Sequence, residues 1–229
     1  MRICEIFQSI QGEGKLAGVP SVFIRTSGCN LRCTWCDTPY SSWAPEGDDL
    51  TLERIMEAVR AHPSRHVVLT GGEPLIQPEA GELVRRLRAE ARHVTVETAA
   101  TVYQHIVCDL ASISPKTANS TPWRREGGRF AEHHERERLN IDTIRALISQ
   151  CADYQLKFVI DAPDDLAEVD ALVARIGGID PRDVLLMPQG VQREELVQRA
   201  AWIVDACARR GYRYCPRLHI ELYGAVRSR

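Results

Sequence analysis

Three cysteines stand close together in the segment CNLRCTWCDT, which begins at Cys29 and includes Cys33 and Cys36. Thiolates at this spacing can ligate one metal centre. An iron–sulfur cluster of the 4Fe–4S type is normally held by four cysteines. Three ligands with no fourth nearby would leave one iron open to another molecule, which indicates catalysis more than a structural role.

Two other interpretations of these cysteines are weaker. A structural zinc site needs four protein ligands, and only Asp37 and distant histidines are available as the fourth. A disulfide is not expected in a chain that begins MRIC, without a secretory leader. The remaining cysteines stand among apolar residues and are interpreted as reduced core residues: Cys4, Cys108, Cys151, Cys207 and Cys215.

Composition narrows the class of protein. The 229 residues are 44% hydrophobic, enough to bury one core, so residues 1–229 are expected to form a single domain. A formal net charge of -2 argues against electrostatic binding of nucleic acid over a broad surface. No apolar run reaches the roughly 18 residues that a membrane span needs, so no membrane partner is expected and the protein is expected in the cytoplasm.

Strands and helices are predicted to alternate along the chain. Short apolar runs predict strands at residues 2–7, 21–27, 66–70, 93–97, 106–113, 154–160, 183–187 and 217–222. Apolar residues at helical spacing predict helices at residues 51–62, 78–91, 141–149, 164–176 and 193–210. The charged segment 118–138 lacks an apolar period and is predicted to be a solvated, mobile loop. About six parallel strands with right-handed crossovers predict an α/β fold, an incomplete TIM-type barrel.

Polar or glycine-rich segments directly follow five predicted strands. In barrel-like α/β folds the chemistry lies beyond the C-terminal ends of the strands. Each segment alone is typical of a turn, but their shared position predicts one site. The segments are Cys29 and its neighbours, Gly71 to Pro74, Glu97 with Thr98, Ser114 to Lys116, and Pro188 to Gly190.

The cysteine segment resembles the cluster loop of radical S-adenosylmethionine (SAM) enzymes, whose pattern Cys-x3-Cys-x-aromatic-Cys is matched by Cys29, Cys33, Trp35 and Cys36. The resemblance implies a 4Fe–4S cluster on the three cysteines, with SAM bound to the open iron. It also implies that the GGEP segment contacts the amino group of SAM. The residues implied to bind SAM are Trp35, Asp37, Gly71, Gly72, Glu73, Glu97, Ser114, Pro115, Lys116 and Gln189.

Motifs along nearly the whole chain resemble the 7-carboxy-7-deazaguanine synthases. These motifs are QSIQGEG from Gln8, FIRTSGC from Phe23, CDT from Cys36, TGGEP from Thr70, ET from Glu97, SPK from Ser114 and RLH from Arg217. The resemblance implies contraction of the 6-carboxy-5,6,7,8-tetrahydropterin ring to 7-carboxy-7-deazaguanine with loss of ammonia, a step toward queuosine. A 5′-deoxyadenosyl radical would start the reaction and SAM would be regenerated. An electron donor such as a flavodoxin or ferredoxin, and a homodimer, are also implied.

The resemblance further implies which residues bind the pterin: Ile10, Gln11, Gly12, Glu13, Arg25, Thr70 and His219. The carboxylate of Glu13 and the amide of Gln11 suit the amidine edge and lactam of a pterin, and Arg25 suits its carboxylate through a bidentate fork. A salt bridge between Glu13 and Arg25 is the alternative interpretation. Thr38 is implied to ligate Mg²⁺, a hard cation that prefers oxygen ligands.

Two other functions remain open. Glycyl-radical activating enzymes are similarly small and carry the same cysteine spacing, but they act on a protein partner and have no need of the QGEG loop at residues 11–14. A zinc-binding interaction module is the alternative outside enzymes. Colour separates the zinc-binding module from an iron–sulfur enzyme of either kind, since an iron–sulfur protein is brown and a zinc protein is colourless.

Overall fold

The computed structural model describes residues 1–228, which contain one nine-stranded sheet in the order β3-β1-β2-β4-β5-β6-β7-β8-β9. The strands are β1 Arg2–Ile10, β2 Pro20–Thr26, β3 Asp48–Asp49, β4 His66–Gly71, β5 His93–Thr98, β6 Leu110–Ile113, β7 Tyr154–Ile160, β8 Val184–Pro188 and β9 Arg213–Tyr214. The strands from β2 to β9 pair in parallel, while β1 is antiparallel to both its neighbours. The sheet does not close, which confirms the predicted incomplete barrel.

Eight helices accompany the sheet in the described residues. They are α1 Pro39–Ser42, α2 Leu52–Arg60, α3 Ala80–Ala89, α4 Ala131–Glu137, α5 Ile141–Gln150, α6 Asp165–Ile176, α7 Arg193–Arg210 and α8 Leu218–Tyr223. The sequence sets their ends locally. The Thr51 hydroxyl accepts the Arg54 N–H at 3.3 Å and starts α2, whereas Gly211, with a φ of 71°, ends α7.

The parallel strands end level with one another, and this alignment builds the site. Thr26 of β2 pairs with Gly71 of β4, and Thr98 of β5 pairs with Ile113 of β6. Every residue of β8 is buried, as expected for a parallel strand covered on both faces. The segments that follow these strands therefore meet at one edge of the sheet.

Two predicted strands differ from the structure. The strand predicted at 106–113 begins only at Leu110, where the ladder with β5 starts, and the Asp109 carboxylate accepts the Val94 N–H at 2.8 Å. The strand predicted at 217–222 is wrong, since these residues lie mainly in α8. The Cys215 N–H donates to Leu186 O at 2.8 Å, but Pro216 has no N–H with which to continue the ladder.

The predicted loop at 118–138 also needs correction. It contains two short 3₁₀ turns, Ala118–Ser120 and Arg125–Gly128, and the helix α4. His134 is fully buried and Arg138 is 8% exposed, so the segment packs against the rest of the protein. Among residues 1–228, no helix has the length and apolar character needed to cross a membrane.

Candidate active site

One cavity lies at the C-terminal edge of the parallel strands. Its wall contains all the predicted site residues except Glu73, Pro115 and Gln189. The predicted residues that it brings together are Ile10, Gln11, Gly12, Glu13, Arg25, Cys29, Cys33, Trp35, Cys36, Asp37, Thr38, Thr70, Gly71, Gly72, Glu97, Ser114, Lys116 and His219. Side chains from segments more than 200 residues apart in sequence thus line one cavity. The Leu218 N–H donates to Gly12 O and holds the two segments together.

The cluster loop, residues 29–36, forms one end of this cavity. Cys33 is buried with Leu31 and Ala99 in a small apolar group, which Cys29 and Cys36 contact. The Cys29 sulfur accepts the Leu31 N–H at 3.3 Å, and the Cys36 sulfur lies 3.1 Å from the Ser42 hydroxyl. The thiols therefore face the cavity from an apolar wall.

The segment 118–138 forms the outer support of the cluster loop. The buried His134 ring joins the two, because Nδ1 accepts the Arg32 N–H at 3.1 Å while Nε2 lies 2.9 Å from the Ser120 hydroxyl. Further hydrogen bonds cross the same boundary, among them Thr34 N to Ser120 O at 2.8 Å, Trp35 Nε1 to Asn119 O at 3.1 Å, and an Arg125 guanidinium nitrogen to Thr34 O at 3.0 Å. The segment predicted to be solvated is the scaffold of the loop that carries the cysteines.

The Gly71–Gly72–Glu73 turn is shaped by protein contacts. A Cβ at Gly72 would lie 2.2 Å from Gly28 O and 2.5 Å from Ser41 O, so only glycine fits. Glu73 is 1% exposed, and its carboxylate accepts the Thr98 hydroxyl at 2.7 Å and the Ala99 N–H at 2.8 Å. Burial raises the pKa of Glu73. Its carboxylate thus fixes the end of β5 from behind the cavity wall.

Another part of the cavity wall holds a chain of opposite charges, in which Glu13, Lys157 and Arg217 are largely buried and Asp37 is partly exposed. The Glu13 carboxylate accepts from Lys157 and, at 3.1 Å, from Arg217 Nε. Arg217 also donates to the Asp37 carboxylate and to Gly190 O. Burial alone would raise the pKa of Glu13, but the Lys157 and Arg217 charges outweigh it and hold the pKa well below its usual range. Glu13 is therefore ionised.

Other polar residues of the wall are already paired with one another. Gln11 Nε2 donates to Glu97 at 3.1 Å, and the Thr70 hydroxyl donates to the other Glu97 oxygen at 2.9 Å. Lys116 Nζ donates to the Ser114 hydroxyl at 2.8 Å. These contacts hold side chains from different strands in fixed positions around the cavity.

Arg25 and His219 line the cavity as predicted, and the structure shows which protein groups each of them contacts. Arg25 does not pair with Glu13; its Nε donates to Glu5 at 2.7 Å. His219 packs directly over Gly12, where a Cβ would lie 1.9 Å from Nδ1. Burial lowers the pKa of His219, so the ring is neutral near pH 7.

Comparison with known proteins identifies the family. Residues 23–121 match the family model of the radical SAM superfamily. A 7-carboxy-7-deazaguanine synthase from Rhodopirellula baltica is 47% identical over 99% of this chain and 88% of its own length. A 7-carboxy-7-deazaguanine synthase from Halobacterium salinarum is 44% identical over 96% of this chain and 90% of its own length.

The chain belongs to the 7-carboxy-7-deazaguanine synthase family. It is therefore a radical SAM enzyme, and membership brings a 4Fe–4S cluster and SAM as cofactors. The crystal structure of QueE from Escherichia coli has the same fold, with a TM-score of 0.68 and 23% identity over 93% of this chain and 92% of that one.

The cysteine arrangement of this 7-carboxy-7-deazaguanine synthase family member fits a cluster better than a single ion. Within residues 1–228, no three His, Cys, Asp or Glu side chains surround one point closely enough to ligate a lone metal. In a 4Fe–4S cube each cysteine binds a different iron, so its thiolates must stand apart around a shared space. Burial raises the pKa of Cys29 and Cys33 to about 12, so iron must displace protons as it binds.

Sequence reasoning about this family member missed two charged residues of the site, Lys157 and Arg217. Lys157 stands in the run YQLKFVI, a buried strand that is mainly apolar, and is itself only 5% exposed. Such a residue is costly to bury without a partner, and this was the available signal. The RLH motif contains Arg217, but the sequence predicts no role for it, because its carboxylate partners Glu13 and Asp37 lie about 200 residues earlier in the chain.

Proposed function

We propose that the chain converts 6-carboxy-5,6,7,8-tetrahydropterin into 7-carboxy-7-deazaguanine with release of ammonia. The observation that carries this proposal is the composition of one cavity. Its wall combines three thiols with an ionised carboxylate and two cationic side chains. Such a chamber can hold a small polar ring beside a metal cofactor.

Glu13 supports the recognition of the pterin edge. Each carboxylate oxygen can accept about two hydrogen bonds, and Lys157 and Arg217 each use one site. The remaining sites can accept the N–H groups of an amidine. Because Glu13 stays ionised, it presents acceptors only.

Arg25 and His219 support recognition of the substrate carboxylate. Arg25 lines the cavity and spends Nε on Glu5, while within residues 1–228 its two terminal nitrogens make no hydrogen bond that would compete with a substrate. A guanidinium can grip a carboxylate through two parallel N–H donors. The neutral His219 ring, held above Gly12, supplies a further donor or acceptor.

Two phenylalanines supply an apolar surface for a flat ring. Phe7 and Phe23 line the cavity and stack with ring centroids 5.2 Å apart and planes 11° apart. Aromatic surfaces of this kind favour stacked or edge contacts with a planar ligand. Polar groups would then set the orientation of the pterin in its plane.

The cofactors occupy the opposite end in this proposal. When bound, the cluster and SAM supply the carbon radical that removes a hydrogen atom from the substrate. Cys29, Cys33 and Cys36 would hold the cluster, and the predicted SAM residues of the wall would hold the rest of SAM. The Thr38 hydroxyl faces the same cavity and would ligate Mg²⁺ together with substrate oxygens.

Turnover of the pterin tests this function. Anaerobically reconstituted protein is incubated with dithionite, Mg²⁺, SAM and 6-carboxytetrahydropterin, and the deazapurine is sought by mass and ultraviolet spectrum. Many turnovers per SAM are expected, and Arg25→Ala should lower kcat/KM by roughly ten-fold or more, since a charge-assisted bond is worth about 1.5 to 3 kcal/mol. Reductive cleavage of SAM without a deazapurine would reassign the substrate, with a glycyl-radical protein as the next candidate.

The Mg²⁺ proposal has its own test. Turnover should fall when Mg²⁺ is chelated and in Thr38→Ala, because a metal that aligns a carboxylate lowers the barrier. Unchanged rates in metal-free buffer would refute it. We also propose a one-electron donor protein such as a flavodoxin or ferredoxin, and a homodimer, which light scattering in solution would verify.

A further inference from the structure

Two of the cysteines outside the cluster loop meet at the edge of the sheet opposite the cavity. Cys108 stands just before β6 and Cys151 just before β7, and the Cys108 thiol donates to the Cys151 sulfur at 3.2 Å. No other two cysteine sulfurs in residues 1–228 are joined by a hydrogen bond. We call Cys108 and Cys151 the edge pair.

Backbone pairing brings the two sulfurs together. Strand β6 runs parallel to β7 with Ala111 opposite Tyr154, and each cysteine of the edge pair stands three residues before its member of that pair. The Ala152 N–H donates to Cys108 O at 3.1 Å, and the Ala111 N–H donates to Asp153 O at 2.9 Å. The sheet, and not side-chain flexibility alone, therefore sets the contact between the sulfurs.

The two thiols of the edge pair differ in exposure and in acidity. Cys108 is fully buried, whereas Cys151 follows the last residue of α5 and is partly exposed. The hydrogen bond from Cys108, helped by the positive charge of Arg88, lowers the pKa of Cys151 to about 7 against the opposing effect of burial. The same hydrogen bond raises the pKa of Cys108. Cys151 therefore ionises first, and the thiolate is the form of cysteine that attacks a disulfide.

The remaining cysteines outside the cluster loop lack this combination. Burial raises the pKa of Cys4, Cys207 and Cys215, and in residues 1–228 none of them has a second sulfur as a hydrogen-bond partner. Cys207 and Cys215 are also buried, at 4% and 0% exposure. Cys4 is partly exposed like Cys151 but stands without a second thiol, so it is the matched control for exposure.

We propose that the edge pair is a reversible modification site, at which a low-molecular-weight disulfide such as glutathione disulfide oxidises Cys108 and Cys151 to a disulfide. The Cys151 thiolate attacks one sulfur of glutathione disulfide, forms a mixed disulfide and releases one glutathione thiolate. The Cys108 thiol then gives up its proton and attacks the Cys151 sulfur, which releases the second glutathione thiolate. The two cysteines lose two electrons to glutathione disulfide, and their two protons pass to the two glutathione molecules that are released.

The structure of the edge pair suits this exchange. A disulfide bond is about 2.05 Å long, so sulfurs that stand 3.2 Å apart must approach by roughly 1 Å. Residues 151–153 connect α5 to β7 without belonging to either, so Cys151 can make this movement. Neither cysteine of the pair lines the cavity, and oxidation therefore leaves the cluster loop with its iron. An excess of glutathione reverses the exchange.

The disulfide would stabilise the support of the cluster loop. It closes a ring of chain, residues 108–151, that contains the segment 118–138 and with it the His134 ring that accepts the Arg32 N–H. A cross-link stabilises a fold by restricting the unfolded chain, and more so when the ring is long. Oxidised protein should therefore unfold at a temperature roughly 5 to 15 °C above that of reduced protein.

The test follows the exchange in the holoprotein. Protein reconstituted with its cluster is incubated under argon in glutathione buffers of increasing disulfide fraction, quenched with acid, alkylated, digested and analysed by mass spectrometry. A peptide that joins Cys108 to Cys151 should appear, and it should vanish after treatment with dithiothreitol. The iron content and the visible absorption of the cluster should not change as the cross-link forms.

Variants separate the roles of the two thiols. Cys108→Ala keeps the attacking thiol but not the second one, so a glutathione adduct should accumulate on Cys151 and the rise in unfolding temperature should disappear. Cys151→Ser should give neither the cross-link nor an adduct on the buried Cys108. Cys4→Ser is the control and should form the same cross-link at the same ratio of glutathione disulfide to glutathione as wild type.

Wild-type protein alone can overturn the proposal, so the test does not depend on the folding of any variant. Absence of the joined peptide in a large excess of glutathione disulfide would do so, as would an adduct on Cys151 that never passes to Cys108. Loss of iron at the ratio that forms the cross-link would show that the edge pair does not react apart from the cluster. None of these measurements needs turnover of the pterin, so a wrong substrate and a wrong modification site are told apart.

Discussion

Two parts of the cavity wall, which we call the cluster end and the substrate end, are built by different means. The cluster end consists of one short segment, 29–36, held by hydrogen bonds to backbone atoms and by buried neutral groups such as His134. The substrate end consists of side chains from across the chain, joined by ion pairs among Glu13, Lys157 and Arg217. On the proposed function, the difference follows from the ligand expected at each end.

A metal cluster supplies its own strong bonds, so the protein needs only thiols at suitable spacing and a stable loop. A small organic substrate supplies weak bonds, so the groups that meet it must already be fixed in place. Ion pairs between distant segments achieve this at the cost of desolvation. Variants that affect one end and spare the other test this division.

The largest effect is expected at the cluster end. Cys33→Ala removes one of three ligands, so reconstitution should give little iron and activity should fall below detection. Cys4→Ala, at a cysteine in β1 outside the cavity, should bind iron normally. Iron content and the visible absorption spectrum measure both. Full cluster occupancy in Cys33→Ala would remove the basis of the assignment.

At the substrate end, Lys157→Met should destabilise the protein without abolishing the cluster. It leaves Glu13 buried with one cation fewer, and breaking a buried pair costs roughly 3 to 5 kcal/mol. Urea unfolding of the iron-free protein gives the change in unfolding free energy. Lys15→Met removes ion pairs nearer the surface, with Asp153 and Asp183, and should cost about 1 kcal/mol or less.

A double variant sharpens this test. If Lys157 stabilises the fold through Glu13, then Glu13→Gln in the Lys157→Met background should restore part of the lost stability, because no unpaired carboxylate remains. If the loss of stability in the double variant instead equals the sum of the losses in the two single variants, the residues act independently.

The support of the cluster loop should weaken in acid. Burial lowers the pKa of His134 to about 4, whereas an unfolded histidine titrates near 6.5. The unfolded chain therefore takes up the proton first as the pH falls, and the contribution of His134 to stability is full above pH 6.5 and declines toward pH 4. The unfolding free energy should drop by about 2 kcal/mol between pH 7 and pH 5 on this account.

His134→Asn isolates that contribution, since asparagine keeps an acceptor for the Arg32 N–H but does not titrate. In this variant the drop in unfolding free energy between pH 7 and pH 5 should be smaller than in wild type by about 2 kcal/mol. His133→Asn, at the exposed neighbouring histidine, is the control and should leave the drop unchanged. An unaltered pH dependence in His134→Asn would contradict the buried neutral ring.

The smallest effect is expected from Gly12→Ala. The new Cβ would push His219 away from the substrate end, so the KM for the pterin should rise by roughly ten-fold, the value of a lost hydrogen bond to a charged group. Iron content and SAM cleavage without pterin should not change. Loss of iron in this variant would show that the two ends are not separable.

Local patterns predicted the parts of the molecule that local forces determine. The run at 154–160 matches β7 and the periodic segment 193–210 matches α7, because a short run rich in aromatic and β-branched residues and an apolar period with a closing glycine are both visible in sequence. The cluster loop belongs to the same class, since all three cysteines lie in one segment.

The failures lie where the partner is distant. The charged segment 118–138 has no apolar period, yet it folds because several of its polar groups form hydrogen bonds with the cluster loop and with one another. Leu218–Tyr223 form α8 because Pro216 ends the ladder and the Leu218 N–H bonds to Gly12 O. Nothing within either segment specifies these partners.

The late position of Arg217 in the chain affects the order in which the site assembles during synthesis. Its guanidinium binds Glu13, Asp37 and Gly190 at once, so Asp37 obtains its ion-pair partner, and Glu13 the second of its two, only after residue 217 has been synthesised. The cysteines and the matched region 23–121 are complete long before that. A nascent chain can therefore present its thiols to iron while its substrate end is still unassembled, and the ion pairs of that end are complete only once Arg217 has been added.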